Sequence, residues 1–334
     1  MTNPFPRSLS RRALLGLAAG AAASAGLLTH LRRAAAQVSD TAPDTVRIGY
    51  QRSSTLVALL KANGELEKAL EPLGVKVTWH EFTSGLPLLE ALNLGKIDLS
   101  ADVADTVPVF AQAAGAKLVF FAEEAPSPSA QAILVPEGSK IASVADLKGR
   151  KVAVTKGAGS HYLLLAALAK AGLAFKDIDP AYLTPADGRA AFVGGNVDAW
   201  VAWDPFLATT QAQSKARILA DGSNGLASYK RYYLGSEDFT RNGGKVVAVL
   251  FDQLKAKGDW VKANPKEAAA QLASLWNINA AAVEVANGRR SYKVGAVTKD
   301  GLAEQQKIAD AFLKEGLLPK AVDTGAVSIW QPAG

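Results

Sequence analysis

Between residues 46 and 220 short apolar runs alternate with stretches of about ten residues whose apolar positions recur at helical spacing, and this alternation restricts the fold more than any other feature. Residues 46–50, 75–82, 97–100 and 118–121 read as strands, with helices over 56–62, 86–94 and 104–114. Strands separated by whole helices do not pair as hairpins. They form a parallel sheet covered by its own crossovers, an α/β architecture. Near 123–131 the composition shifts to Pro and Ser, and a second series follows: strands 133–135, 151–154, 181–183, 197–201 and 217–220, helices 160–171, 185–192 and 206–213. Another polar, aromatic-rich stretch spans 221–239, after which 244–316 reads as nearly all helix, over 245–264, 266–275, 280–287 and 301–315. A tail with no strand series is expected to pack back on the first lobe. The expected organisation is therefore a composite lobe from 45–130 and 222–334, with 131–221 inserted as a second lobe.

The first 36 residues read separately. Ser10-Arg11-Arg12 precedes the apolar run 13–28, and Ala34-Ala35-Ala36 offers a small-residue cleavage site, the pattern of a twin-arginine export signal over 1–36. At about 16 residues the run is short for a membrane anchor. A polar leader, 37–44, would then open the mature, periplasmic chain. Charge changes with it: 37 bases less the five arginines of the signal leaves 32, against 31 acids. That near-balance gives no footprint for nucleic acid. Without cysteine there is no disulfide framework or thiolate, and of three histidines only His80 and His161 remain after cleavage, too few for a histidine-rich metal site. No cofactor is expected.

Open parallel sheets bind ligands at the carboxyl ends of their strands, so the residues there are the candidates. They are Gln51 and Ser54, Ser84 and Gly85, Asp102 and Thr106, the turn Gly157-Ala158-Gly159-Ser160-His161, and Trp203 with Asp204. Hydroxyls, an amide and glycines at helix starts suit an oxyanion held by neutral donors and backbone N–H groups. Each Ser, Thr or Asp is equally a helix cap, with Ser160 capping 160–171 and Asp204 capping 206–213. Arg289 and Arg290 follow a helix end, and one of them can enter the cleft. No GxSxG, GxxxxGK[ST] or GxGxxG pattern occurs, and the neighbours Glu123 and Glu124 are not a glycosidase pair. These absences argue against an enzyme.

Several stretches resemble the periplasmic substrate-binding components of ABC importers for aliphatic sulfonates, within the wider sulfonate, taurine and nitrate group. They are Val46-Arg47-Ile48-Gly49-Tyr50-Gln51, Gly85-Leu86-Pro87-Leu88-Leu89-Glu90-Ala91-Leu92, Gly95-Lys96-Ile97-Asp98-Leu99, Lys156-Gly157-Ala158-Gly159-Ser160-His161, Trp200-Val201-Ala202-Trp203-Asp204-Pro205 and Arg290-Ser291-Tyr292. The resemblance implies a type II periplasmic-binding-protein fold, a two-lobed venus flytrap in which each lobe is a mostly parallel sheet flanked by helices. It implies a monomer that takes a small anion, an alkanesulfonate, and passes it to a membrane permease. It implies that Gln51, Ser84, Gly85, Thr106, Ser160 and His161 face the sulfonate, with Trp203, Asp204 and Arg290 on the cleft wall. Taurine, an aryl sulfate ester and nitrate stay open as ligands, with Asp102 and Asp204 as partners for a taurine ammonium, and so does an enzyme on the same scaffold.

Overall fold

The computed structural model describes residues 43–332. The export signal expected over 1–36, and the leader as far as residue 42, lie outside the described residues. Among the described residues no helix is long and apolar enough to cross a membrane.

The chain builds two sheets. β1 (Thr45–Gln51), β2 (Lys76–Phe82), β3 (Leu99–Ala104) and β4 (Leu118–Glu124) are linked by α1 (Thr55–Ala62) with α2 (Glu65–Leu70), then by α3 (Gly85–Asn93) and α4 (Thr106–Ala113). β5 (Gln131–Val135), β6 (Lys151–Val154), β7 (Asp179–Tyr182), β8 (Ala199–Trp203) and β9 (Arg217–Asp221) form the second sheet, with α5 (Gly159–Lys170), α6 (Pro185–Val193) and α7 (Phe206–Ser214) between them. The return run is β10 (Arg231–Ser236), α8 (Glu237–Asn242), α9 (Gly244–Ala263), α10 (Pro265–Trp276), α11 (Ala280–Arg289), β11 (Val294–Gly295), α12 (Lys299–Lys314) and β12 (Ser328–Ile329). The first sheet has the order β11-β4-β10-β3-β1-β2, with β12 also on β4, and the second the order β7-β6-β8-β5-β9.

Both sheets are mixed. β1 runs parallel to β2 and β3, and β6 parallel to β7 and β8, as whole-helix connections demand. The strands that receive the chain after each crossing, β5 and β10, run antiparallel to their neighbours. β10 corrects the sequence reading of 221–239 as a polar crossing. It is a central strand, with Arg231 opposite Ala104 on one side and Glu124 on the other. Its arginine is buried by ion pairing rather than solvated, so hydropathy alone misplaced it. Two short edge strands follow, β11 between the tail helices and β12 beyond them, both paired with β4.

Helix starts follow local chemistry. The side chains of Thr184, Asn279 and Thr298 accept first-turn N–H groups, and Pro265 opens α10, where its missing N–H costs nothing. Apolar layers cover both faces of each sheet. Ile48, Leu59, Phe121, Leu254 and Leu272 pack on one side of the first, Leu88, Val103, Phe120 and Leu234 on the other. Trp200 is 1% exposed in the core of the second sheet beside Leu134 and Leu207. Ile308, Ala309 and Phe312 of α12 share one apolar cluster with Val109 of α4 and Leu164 of α5, so this helix spans both sheets' layers. The two crossing segments bond to each other, Ser127 N donating to Ser228 O at 2.9 Å and Gly222 N to Pro128 O at 3.0 Å.

Candidate functional site

Strand carboxyl ends from both sheets converge on one small cavity. Gln51 ends β1, Ser84 precedes α3 and Gly85 opens it, Ala104 ends β3, Ala158 and Gly159 lead into α5, and Trp203 ends β8. Val107, Tyr229 and Arg231 complete the wall. Its volume is about 10 Å³, room for about one water, so the two lobes are drawn together. Direct contacts across the cleft agree. Trp203 Nε1 donates to Ser53 Oγ at 3.4 Å, and Ala208 of α7 touches Ala282 and Ala286 of α11.

Glycines permit this approach. A Cβ on Gly159 would lie 2.6 Å from Tyr229 Cε2 and 2.8 Å from Ala104 Cβ, and one on Gly157 would lie 2.7 Å from Leu86 Cδ1. Two helix amino ends, of α3 and α5, therefore face the same space from opposite lobes, each carrying partial positive charge. Gln51 is held by its Nε2, which donates to Asp102 O at 3.0 Å. No carboxylate lines the cavity, and one guanidinium does.

That guanidinium belongs to a buried network. Arg231 Nε donates to Asp102 Oδ2, Nη2 to Asp102 O at 3.2 Å, and Nη1 to Tyr229 Oη at 2.9 Å. Arg290 Nη2 donates to Glu124 Oε2 at 2.5 Å and to Asp102 Oδ2 at 3.3 Å, while Tyr233 Oη donates to Glu124 Oε1 at 2.7 Å. Burial works against both guanidinium charges, and the neighbouring Asp102 and Glu124 carboxylates more than reverse it, raising both pKa values. Burial pushes the Tyr229 phenol up to about 12, so it stays a neutral O–H. Its backbone φ of 53° is left-handed, a conformation uncommon outside glycine and fixed here by the packing around the cavity.

Of the residues expected at the site, Gln51, Ser84, Gly85, Ala158, Gly159 and Trp203 line this cavity, while Ser54, Asp102, Thr106, Gly157, Ser160, His161, Asp204 and Arg290 lie outside its wall. Asp102 and Arg290 are committed to the network just described. Thr106 is buried at the start of α4, its hydroxyl 3.5 Å from Asp105 Oδ1. α5 begins at Gly159, one residue before the sequence reading, so Ser160 sits inside the first turn and does not cap it; its buried Oγ has no hydrogen-bond partner. His161 is enclosed by Phe175, Tyr182 and Phe312 at ring distances of 5.2, 5.7 and 4.9 Å. Its Nδ1 accepts from Gly157 N at 3.1 Å, and burial, then the Lys156 charge, lower its pKa to about 3. It positions the turn ahead of α5. The N-cap of α7 is Pro205, not Asp204, but Asp204 Oδ1 one residue earlier still accepts from Ala208 N at 3.0 Å, and it pairs with Arg289 at 3.3 Å. Burial raises its pKa to about 6 against the opposing pull of Arg289.

Sequence reasoning missed Arg231 and Tyr229. The signal available was the β-prone run Tyr232-Tyr233-Leu234 behind Arg231, which suits a strand. A larger depression of about 710 Å³, around Arg47, Asp98 and Lys117, lies at the opposite, amino ends of the strands. There Arg47 is spent on Asp98 at 2.6 Å and Gly95 O at 2.8 Å. Among the described residues no group of three or more His, Cys, Asp and Glu is placed to hold a metal ion.

Comparison with known proteins places this geometry in context. The family described as NMT1/THI5 like matches residues 71–268. A protein of Escherichia coli (strain K12) named for aliphatic sulfonate binding is 41% identical over 311 residues, 93% of this chain and 95% of its own. The alkanesulfonate-binding protein SsuA from Xanthomonas axonopodis pv. citri, solved bound to MOPS, superposes with a TM-score of 0.81 at 38% identity, covering 86% of this chain and 99% of that one. The periplasmic aliphatic sulphonate binding protein SsuA from Escherichia coli gives a TM-score of 0.78 at 40% identity, over 87% and 94%.

Proposed function

Since the chain belongs to the NMT1/THI5-like family and, within it, to the aliphatic sulfonate-binding proteins, we propose that it captures small aliphatic sulfonates outside the cytoplasm and delivers them to an ABC importer for sulfur acquisition. The observation that carries this reading is the make-up of the cavity: two helix amino ends, the Gln51 amide, the Ser84 hydroxyl and the Arg231 guanidinium around a space with no carboxylate. A sulfonate is a permanent anion whose charge is shared by three oxygens. Burying it is costly unless each oxygen finds donors, and donors arriving from both lobes meet that need only when the cleft is closed.

The working cycle that follows involves binding alone. The lobe of 131–221 swings on the crossings at 125–130 and 222–230 relative to the lobe of 45–130 with 222–334. Parting breaks the Trp203–Ser53 bond and admits the ligand; closure surrounds the sulfonate and leaves its carbon body against Trp203 and Val107. A single copy of the chain suffices. Residues 1–36 act as a twin-arginine signal that brings the mature chain, from Gln37, to the periplasm. Isothermal titration of that mature chain tests the reading. Ethanesulfonate should bind at micromolar concentration or tighter, and nitrate, sulfate and an aryl sulfate ester more weakly. Binding of nitrate or the aryl ester in place of ethanesulfonate would overturn the ligand class, and turnover of any of them would overturn a purely binding role.

A further inference from the structure

Outside the small cavity, on the far side of the Trp203–Ser53 contact, the cleft opens into a mouth of about 300 Å³. Ser53 and Trp203 form the partition, since Ser53 lines the mouth and Trp203 the inner cavity. Trp203 also meets Phe206 of the mouth edge-on, ring centroids 5.9 Å apart. Phe206, Trp276 and Ile278 give the mouth apolar sides. Its polar content is dominated by two arginines from opposite lobes, Arg52 just after β1 and Arg189 on α6.

Neither arginine has a carboxylate within ion-pairing distance among the described residues, unlike Arg231, Arg289 and Arg290 deeper in the cleft. Arg52 donates one N–H, from Nη2 to Trp276 O at 2.5 Å. Arg189 donates from Nη2 to Gln213 Oε1, and its Nε is buried with no partner at all. A guanidinium has five N–H donors, so most of this capacity has no protein partner: Arg52 is exposed and its free donors meet water, while the buried Arg189 Nε is costly to leave unpaired. No carboxylate lines the mouth to offset the two positive charges.

We propose that Arg52 and Arg189 recognise a second anionic group at the far end of the ligand, so that the preferred substrates are sulfonates ending in a carboxylate or another sulfonate. This deepens the sulfonate reading and rests on it. Once the lobes part enough to break the Trp203–Ser53 contact, the inner cavity widens beyond its present volume of about 10 Å³ and takes one sulfonate. The carbon body passes between Trp203 and Ser53, and the distal anion bridges the two lobes through Arg52 on one and Arg189 on the other. Bridging adds a contact that exists only in the closed form, so the second anion favours closure as well as affinity.

The test compares ligands that differ only at the far end. The mature chain is titrated with ethanesulfonate, butanesulfonate, and butane carrying a sulfonate at each terminus. The disulfonate should bind about three- to tenfold tighter than butanesulfonate, a gain limited by the solvent at the mouth. That gap should shrink as ionic strength is raised toward about 0.5 M, which a purely steric preference would not do. In the double variant Arg52→Gln, Arg189→Gln the gap should close, while ethanesulfonate, too short to pass the partition, binds as before. A disulfonate bound no tighter than butanesulfonate, or a gap that survives in the double variant, overturns the proposal and leaves the sulfonate reading standing. Silence toward all three overturns both.

Discussion

Gly159 of the second lobe abuts the ring of Tyr229, so closely that a Cβ on it would meet Cε2 at 2.6 Å. Ala104 Cβ lies 2.8 Å from the same point, so an added methyl group meets two residues at once. Gly159→Ala should therefore hold the lobes apart. We expect sulfonate affinity to fall by about 1–3 kcal/mol, roughly 5- to 150-fold, with thermal unfolding of the ligand-free chain little changed. Titration of the variant at wild-type affinity would show that closure does not bring these atoms together.

Ethanesulfonate should be preferred to taurine. The two differ by an ammonium, which needs a carboxylate or several acceptors once buried. Asp102 is tied to Arg231 and Arg290, and Asp204 to Arg289, and neither lines the cavity. A tenfold or larger difference in dissociation constant, read by titration, is the expected outcome; equal affinities would mean that one of these carboxylates turns toward the ligand.

The charge network should behave as a unit. Glu124→Gln removes the carboxylate that meets Arg290 at 2.5 Å and Tyr233 at 2.7 Å, leaving Asp102 as the one acid facing two buried guanidinium groups. A buried charge stripped of its partner costs about 3–5 kcal/mol. Urea unfolding of the ligand-free variant should show a loss of that order. Glu137→Gln, at an exposed position, should stay within about 0.5 kcal/mol of the parent. Similar losses in both would remove the basis for treating the network as structural.

Acid should weaken the fold through His161. Burial, then the Lys156 charge, lower its folded pKa from 6.5 to about 3, so between these values the unfolded chain binds a proton that the folded chain refuses. Stability from this group is full above pH 6.5 and is lost as pH falls toward 3, by about 1.4 kcal/mol per unit within the window. His161→Asn keeps an acceptor for Gly157 N–H and removes the titration. Urea unfolding as a function of pH should give the variant a flatter acid limb than the parent; coincident limbs would place the imidazole in water.

The alternation of strand and helix was legible because each element's period depends only on its own residues. The strands over 151–154 and 45–51, and the helices over 244–263 and 265–276, needed nothing from elsewhere. β10 was not legible, because Arg231 becomes a sheet residue only once Asp102 and Glu124, far away in sequence, supply its counter-charges. At the site, Gln51, Ser84, Gly85, Gly159 and Trp203 could be read from strand ends and glycines. The roles of His161 and Ser160 could not. A shift of one residue in the start of α5 decides which side chains face the cleft, and local sequence does not fix a helix start that closely. Tyr229 reaches the cavity through a left-handed backbone that no local pattern announces.

A crystal structure of the mature chain with ethanesulfonate tests most directly whether the anion is held between the lobes. The sulfonate should lie between the first turns of α3 and α5, its oxygens within about 3.2 Å of backbone N–H groups there and of the Gln51 amide, with Arg231 alongside. Density for the ligand in the depression around Arg47 and Lys117, or on one lobe alone with the cleft open, would contradict a site built from both strand ends.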